Sequence, residues 1–507
     1  MLEDLIDSNA IVPVDGGWIA PAGPVEIKHP GALTFYRHGW NSWSPTGWSP
    51  LAESPMRIYG DPGRTLTADD AAHDDPTRHE GSAVGALDLA DGRVLLLGAL
   101  GLGSPRVGAS VDTLWGYSEE PVEWFVGLGD EVTVFARYAE LLTDRLGTPL
   151  ARPIETLWCS WYSFFEDIDE TTLRDTIDEL GSLPLDVIQI DDGWETVVGD
   201  WTPNERFPTG MSGLADQIRD RGSLPGLWLA PLIALPGSTL ATEHPDWLVH
   251  NESGQPLVAG FNWESHYFAL DTTHPEVQQH LRAVFAEVTG WGFQYLKLDF
   301  LYAGALVGVR HENIPRERVY REALELIREV VGPDVYLLGC GAPLIPSIGV
   351  LDGARVGPDT GSDWAKPATI SDPSHEGGLN GFAASVERLW MRDLFQVDPD
   401  VAFFRSTGTT LTEPQKQVIV DAARVAGFRS TSDPLAWLSD SERAELGEFF
   451  ETSPGVTRLA RYRYSVDGRE VDFGPAIAES RSGRESLSES VARRAGRTGT
   501  AGPRSGS

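Results

Sequence analysis

From Ile154 to about Glu451 the chain repeats one unit, a short apolar run followed by a segment with apolar residues at helical spacing, and few folds accept that repetition. The runs are IETLWCSWY, LPLDVIQIDDGW, LPGLWLAP, FQYLKLDF, DVYLLGCG, GARVGPD and VAFFRSTG; TTLRDTIDELGSL, PEVQQHLRAVFAEVTGWG and ERVYREALELIREVVG lie among the connections. Strand-then-helix order implies parallel strands with crossover helices. Seven strands are readable, and an eighth falls near Pro434. An open doubly wound sheet and a closed barrel both satisfy this order. The barrel is favoured, because no Gly-rich phosphate turn follows the first run and polar residues sit at the C-terminal end of nearly every strand, where a barrel gathers them at one mouth. The expected fold class is α/β, a (β/α)8 TIM barrel over residues 150–452.

Residues 1–140 carry short apolar runs separated by Gly, Pro and Asp, such as GALTFYRHGW, RVLLLGAL and EPVEWFVGLG, with no amphipathic helix up to about Arg137. That rhythm predicts an N-terminal antiparallel β-sandwich. Past Glu451 the pattern dissolves, and residues 453–478 offer only the remnant of a C-terminal β domain. Residues 479–507 are dominated by Ser, Arg and Gly. They have almost nothing to bury and are expected to be disordered. Their basic character contrasts with the rest, and a frame change or truncation near Asp472 and a natural tail both account for it.

The formal net charge of -35 argues against nucleic acid or an anionic membrane as partner, since phosphate recognition requires a cationic footprint. A neutral substrate fits better. No stretch is apolar for long enough to span a bilayer, and MLEDLIDSNA has neither the basic nor the apolar region of a secretory signal. With only Cys159 and Cys340, far apart in sequence, a cytoplasmic enzyme with free thiols is expected, without metal or other cofactor.

Three motifs carry chemistry. LPLDVIQIDDGW ends a buried strand on Asp191 and Asp192, which point to different sides and suit sugar hydroxyls better than a helix cap. In FQYLKLDF, Lys297 and Asp299 share a strand face; burying them together is expensive unless they are paired or used, and Lys297 would keep Asp299 ionised as a nucleophile. ARVGPDT supplies Arg355 and Asp359, the latter a candidate proton donor, with Asp363 and Asp352 as rivals. Retaining glycosidases place two carboxyls about 5 to 5.5 Å apart for such a pair of roles. The 17 tryptophans exceed what a core this size needs; most are expected to be plain packing, and the few beside polar motifs to grip the apolar face of a sugar.

IQIDDGW, LWLAP, KLDF, GCG and RVGPDT, in that order, resemble the bacterial α-galactosidases (melibiases) of glycoside hydrolase family 36, over roughly residues 33–438. The resemblance implies Asp299 as nucleophile and Asp359 as acid/base. It assigns Asp191 and Asp192 to the 4- and 6-hydroxyls of galactose, Lys297 and Arg355 to sugar binding, and Trp228 to an aromatic wall, with Trp161 a lesser candidate for that wall. Cys340 would lie near the 2-hydroxyl. HGWNSWSPTGW resembles the loop by which the N-terminal domain reaches over the barrel mouth, with Trp43 in the sugar pocket and Trp40 and Trp48 as core.

The expectation is a retaining α-galactosidase that hydrolyses terminal α-galactosyl residues of melibiose- or raffinose-like oligosaccharides. An α-N-acetylgalactosaminidase or a transglycosylating relative would use the same carboxylates, and a sugar-binding barrel without turnover is the rival from another class. Enzymes of this family usually carry an ordered C-terminal β domain, of which this chain offers little beyond Arg458 to Phe473, so barrel surface normally covered by it would invite aggregation or a partner subunit, such as a homo-oligomer.

Overall fold

The run RVLLLGAL has no polar alternate because the sheet containing it is covered on both sides. In the strand Val94–Ala99, Val94 and Leu96 join the large core shared with the barrel, whereas Leu95 and Leu97 join a separate core inside the N-terminal domain. The same period of two splits Tyr36 from Phe35 and Phe125 from Trp124 and Val126. The protein, described by a computed structural model over residues 11–29, 31–58, 67–68, 78–181, 183–451 and 453–481, thus begins with a seven-stranded antiparallel sheet facing a four-stranded one. The expectations for the acidic first ten residues and for the tail from 482 onward lie outside the described residues.

The β-rich reading up to Arg137 runs past the last sandwich strand, Trp124–Gly129, into a helix, Glu131–Leu146. The alternation in EVTVFA looks strand-like, but Asp130 caps Val132 N and Thr133 N, and Val134, Phe135, Tyr138 and Leu142 fall on one buried helical face.

Eight strands, Thr156–Cys159, Val187–Ile190, Leu224–Leu229, Tyr295–Leu298, Tyr336–Gly339, Gly353–Arg355, Gln396–Asp398 and Arg429–Thr431, form the parallel sheet of the barrel, with the eighth beside the first and the seventh at the other end. The seam between seventh and eighth is closed by Ala402 N donating to Ser430 O (2.8 Å), Ser430 Oγ to Asp400 O (2.9 Å) and Thr431 Oγ1 to Ala402 O (2.8 Å). This corrects the seventh strand. The VAFF at the head of VAFFRSTG is buried and apolar, but a left-handed residue, Asp400 (φ 78°), separates it from the ladder, which ends at Asp398.

Beyond the barrel, strands Val456–Ala460, Arg463–Val466 and Arg469–Asp472 form a small antiparallel sheet. Residues 474–481 are helical, which moves the expected start of disorder at 479: Glu479 accepts from Trp364 Nε1 (3.0 Å), and Arg481 donates to Glu387 (3.1 Å). Phe473 and Ile477 are buried, with Phe473 edge-on to Phe382. Arg461 ties this segment to the N-terminal domain, bonding Asp88 and Glu131 with its guanidinium 3.7 Å above the Trp48 ring. No helix among the described residues is long and apolar enough to cross a membrane.

Candidate active site

The second strand ends in two acids with different surroundings. Asp191 Oδ2 accepts from Lys297 Nζ (2.9 Å), Cys159 Sγ (3.3 Å) and Gln189 Nε2, and its own N–H reaches Ser160 Oγ (2.9 Å). Asp191 is therefore the ion-pair partner of Lys297. The sequence expectation paired Lys297 with Asp299, its neighbour along the strand; the ammonium instead crosses to the second strand, although the charge of Asp299 also acts on it. Asp192 accepts from Trp263 Nε1 at 2.8 Å, and burial followed by the adjacent Glu195 pushes its carboxyl well above the usual range.

Asp299 closes the fourth strand. Its Oδ2 accepts from Trp228 Nε1 (3.2 Å) and its Oδ1 from the N–H of Phe300 (2.7 Å), a residue held in the left-handed region at φ 54°. Two N–H donors thus fix the plane of the carboxylate. Asp359 lies across the hollow at the end of the sixth strand, with Arg355 Nη1 at 3.2 Å. Its carboxyl is pushed up to about 7, first by the protein crowded around it and then by the charge of Asp400, while Arg355 and Lys297 pull the other way and Asp299 adds to the rise. The Asp359 side chain nevertheless stays 39% accessible through the mouth. Asp299 and Asp359 are brought together, and both charges also bear on the buried Cys340 thiol between them, which burial holds neutral.

Arg355 is shared by three acids, reaching Asp398 (3.0 Å) and Asp400 (2.8 Å) besides Asp359. Asp400 accepts from Thr360 N (2.8 Å) and from the Tyr162 hydroxyl. The rivals of Asp359 are accounted for. Asp363 pairs with Lys366 (2.7 Å), whose hydrogen bond holds it below the usual carboxyl range, so it is a poor acid. Asp352 precedes the sixth strand, at the opposite end of the barrel, where it accepts from Leu150 N, Ala151 N and Arg328.

The walls are aromatic. Trp228 and Trp263 meet edge-to-face at 6.3 Å, and Trp263 also lies against Phe300. Trp43 arrives from the N-terminal domain onto Phe300 and Tyr302, at 5.5 and 5.4 Å. It rests on Gly341 (φ 58°), where an added Cβ would lie 2.9 Å from the Trp43 ring. Gly341 N donates to Ser42 Oγ (3.1 Å), and Leu344 N to Trp40 O (2.9 Å). Arg388, with no exposed surface, gathers the carbonyls of Gly39, Asn41, Ser42 and Ser44 together with Val356 O. Trp40 and Trp48 are core, as expected. Trp161 opens the short helix Trp161–Phe164 and packs edge-on against Phe165. No ring contact ties it to the other walls.

Trp263, Asp398, Asp400, Arg388 and Glu195 were not singled out from the sequence. Trp263 occupies a hairpin tip where it and Glu264 both have positive φ, a conformation that a bulky residue rarely adopts and that no local signal announces. VDPD did advertise two acids after a strand-like run.

Two strand-end carboxyls near enough to act on one another, set among indoles at the C-terminal mouth of a β/α barrel, place the chain in the class of barrel glycoside hydrolases. The Melibiase family profile matches residues 132–329. An α-galactosidase from Thermus thermophilus, solved in complex with p-nitrophenyl α-D-galactopyranoside, is 39% identical over 93% of this chain and 97% of its own, with a TM-score of 0.87. The family 36 α-galactosidase AgaA of Geobacillus stearothermophilus superposes with a TM-score of 0.59 at 17% identity over 84% of this chain and 62% of its own, a likeness of fold. The probable α-galactosidase C of Aspergillus flavus is 27% identical over 225 residues, 37% of this chain and 29% of that relative's length, so the match spans under a third of it. The chain belongs to the melibiase family of α-galactosidases, glycoside hydrolase family 36.

Proposed function

We propose that the protein is a retaining α-galactosidase that removes terminal α-D-galactosyl residues from small oligosaccharides. The observation that carries this reading is the pair Asp299 and Asp359: one carboxylate with its plane fixed by two N–H donors, facing one carboxyl that keeps its proton up to about pH 7. Asp299 attacks the anomeric carbon while Asp359 gives its proton to the departing oxygen. Water then attacks the galactosyl-enzyme, and Asp359, now a carboxylate, takes the proton from that water. Asp191, Asp192, Lys297 and Arg355 line the sugar's polar edges, Trp228 and Trp43 its faces, and Cys340 offers a neutral thiol on the remaining side. The ligands seen in the Thermus structures, an aryl α-galactoside and stachyose, support substrates of this class. A cytoplasmic setting is part of this proposal, and the two free, buried cysteines are what support it.

The test is Asp299→Ala assayed on an aryl α-galactoside. Turnover should fall below detection, and azide should restore release of the aryl group as the inverted galactosyl azide. Activity equal to that of the unsubstituted enzyme would remove Asp299 from the reaction.

A further inference from the structure

Glu195 is a buried acid at the mouth that the reaction does not use. Glu195 begins the hairpin Glu195–Val197/Asp200–Pro203 that follows DDGW, and Asn204 Nδ2 holds its backbone carbonyl at 3.1 Å. The side chain is buried beside the Asp192 carboxyl, near enough for the two to act on one another, and its Oε2 has no partner among the described residues. Both residues line a cavity of about 370 Å³ that Trp263, Glu166 and Arg206 also border.

Two carboxylates have no hydrogen to offer one another, so two buried carboxyls side by side, one with an unpartnered oxygen, are held together only if one of them carries a proton. Among the described residues no nearby cation is free to serve instead. Lys297 is matched by Asp191, Arg206 bonds Gly193 O (3.0 Å) and Asp167 (3.6 Å), and the other charged groups facing the pair, Asp191, Glu166 and Glu205, are acids. We propose that Asp192 and Glu195 meet the sugar as an acid pair sharing one proton, with Glu195 the positioning residue that holds Asp192 in its binding orientation. Burial pushes both carboxyls upward, and Glu195 pushes Asp192 further. Loss of the shared proton leaves two adjacent anions, which swing apart and spoil the sugar site. The effect falls on KM, whereas deprotonation of Asp359 falls on kcat.

This inference rests on the α-galactosidase reading for its ligand only. The experiment compares the pH dependence of KM and kcat for wild type and Glu195→Gln on an aryl α-galactoside, together with infrared spectra of both proteins without substrate. In wild type, KM should rise on the alkaline side by about tenfold, the worth of one good hydrogen bond. In Glu195→Gln the amide keeps the bond without a titratable proton, so KM should stay flat while the kcat profile is unchanged. The wild-type spectrum should contain a protonated-carboxyl band, titrated away by alkali, in addition to the Asp359 band that both proteins share, and Glu195→Gln should lack this additional band. Superimposable KM profiles, or identical carboxyl bands, overturn the shared proton. Wild type without turnover overturns the functional reading, and the infrared comparison still decides the pair.

Discussion

Asp359 owes its proton to its neighbours. The raised value means that the acid form is present below about pH 7 and is lost as pH rises through it, so turnover should be high on the acid side and fall along an alkaline limb near 7. Asp400 is the charged neighbour that contributes most to the rise, and it also competes with Asp359 for Arg355. Replacing it in Asp400→Asn removes a negative charge and leaves Arg355 freer to stabilise the Asp359 carboxylate. Both effects act in one direction, so the alkaline limb of kcat should move toward acid by on the order of one pH unit. A limb that stays in place, or moves toward alkali, would show that Asp359 is not the titrating group. Trp228 does two jobs at this scale: its indole meets that of Trp263 edge-to-face, and its N–H orients Asp299.

Between elements, the decisive joint is the loop from Gly39 to Ser44 against the ends of the fourth and fifth strands. Arg388 fixes the backbone of that loop through four carbonyls, and burial without a carboxylate pushes the guanidinium down to about 10. Gly341 lets the Trp43 ring settle where any side chain would intrude. Gly341→Ala should cost about 1–2 kcal/mol through its left-handed backbone alone and lift Trp43 from the mouth. With the stacking surface displaced, KM for an aryl α-galactoside should rise by about fivefold, in line with roughly 1 kcal/mol for an aromatic contact. Thermal melting and steady-state kinetics check the two parts; a lowered melting temperature with unchanged KM would take Trp43 out of the sugar site.

At the scale of the whole molecule, the parallel barrel and its strand-end acids were legible because the fold itself gathers strand termini: DDGW, KLD and RVGPD each end a strand at the same mouth. What crosses between strands was not legible. Nothing in FQYLKLDF says that Lys297 reaches Asp191, because that depends on the register of three strands at once. The seventh strand was misplaced by a few residues because VAFF has the apolar content of a ladder without its backbone, which Asp400 turns aside. Trp263, Glu195 and Arg388 act through hairpin and loop geometry that follows from no periodicity. The three-stranded sheet after Val456 and the helical residues 474–481 show more order than the sequence suggested, with Arg461 linking Asp88, Glu131 and Trp48 to the rest. All of this arranges two carboxyls on one glycosidic bond. Proton magnetic resonance of the sugar first released from an aryl α-galactoside reads that arrangement directly: the account predicts α-galactose, which mutarotates to the β form only later, and β-galactose as the first product would contradict it.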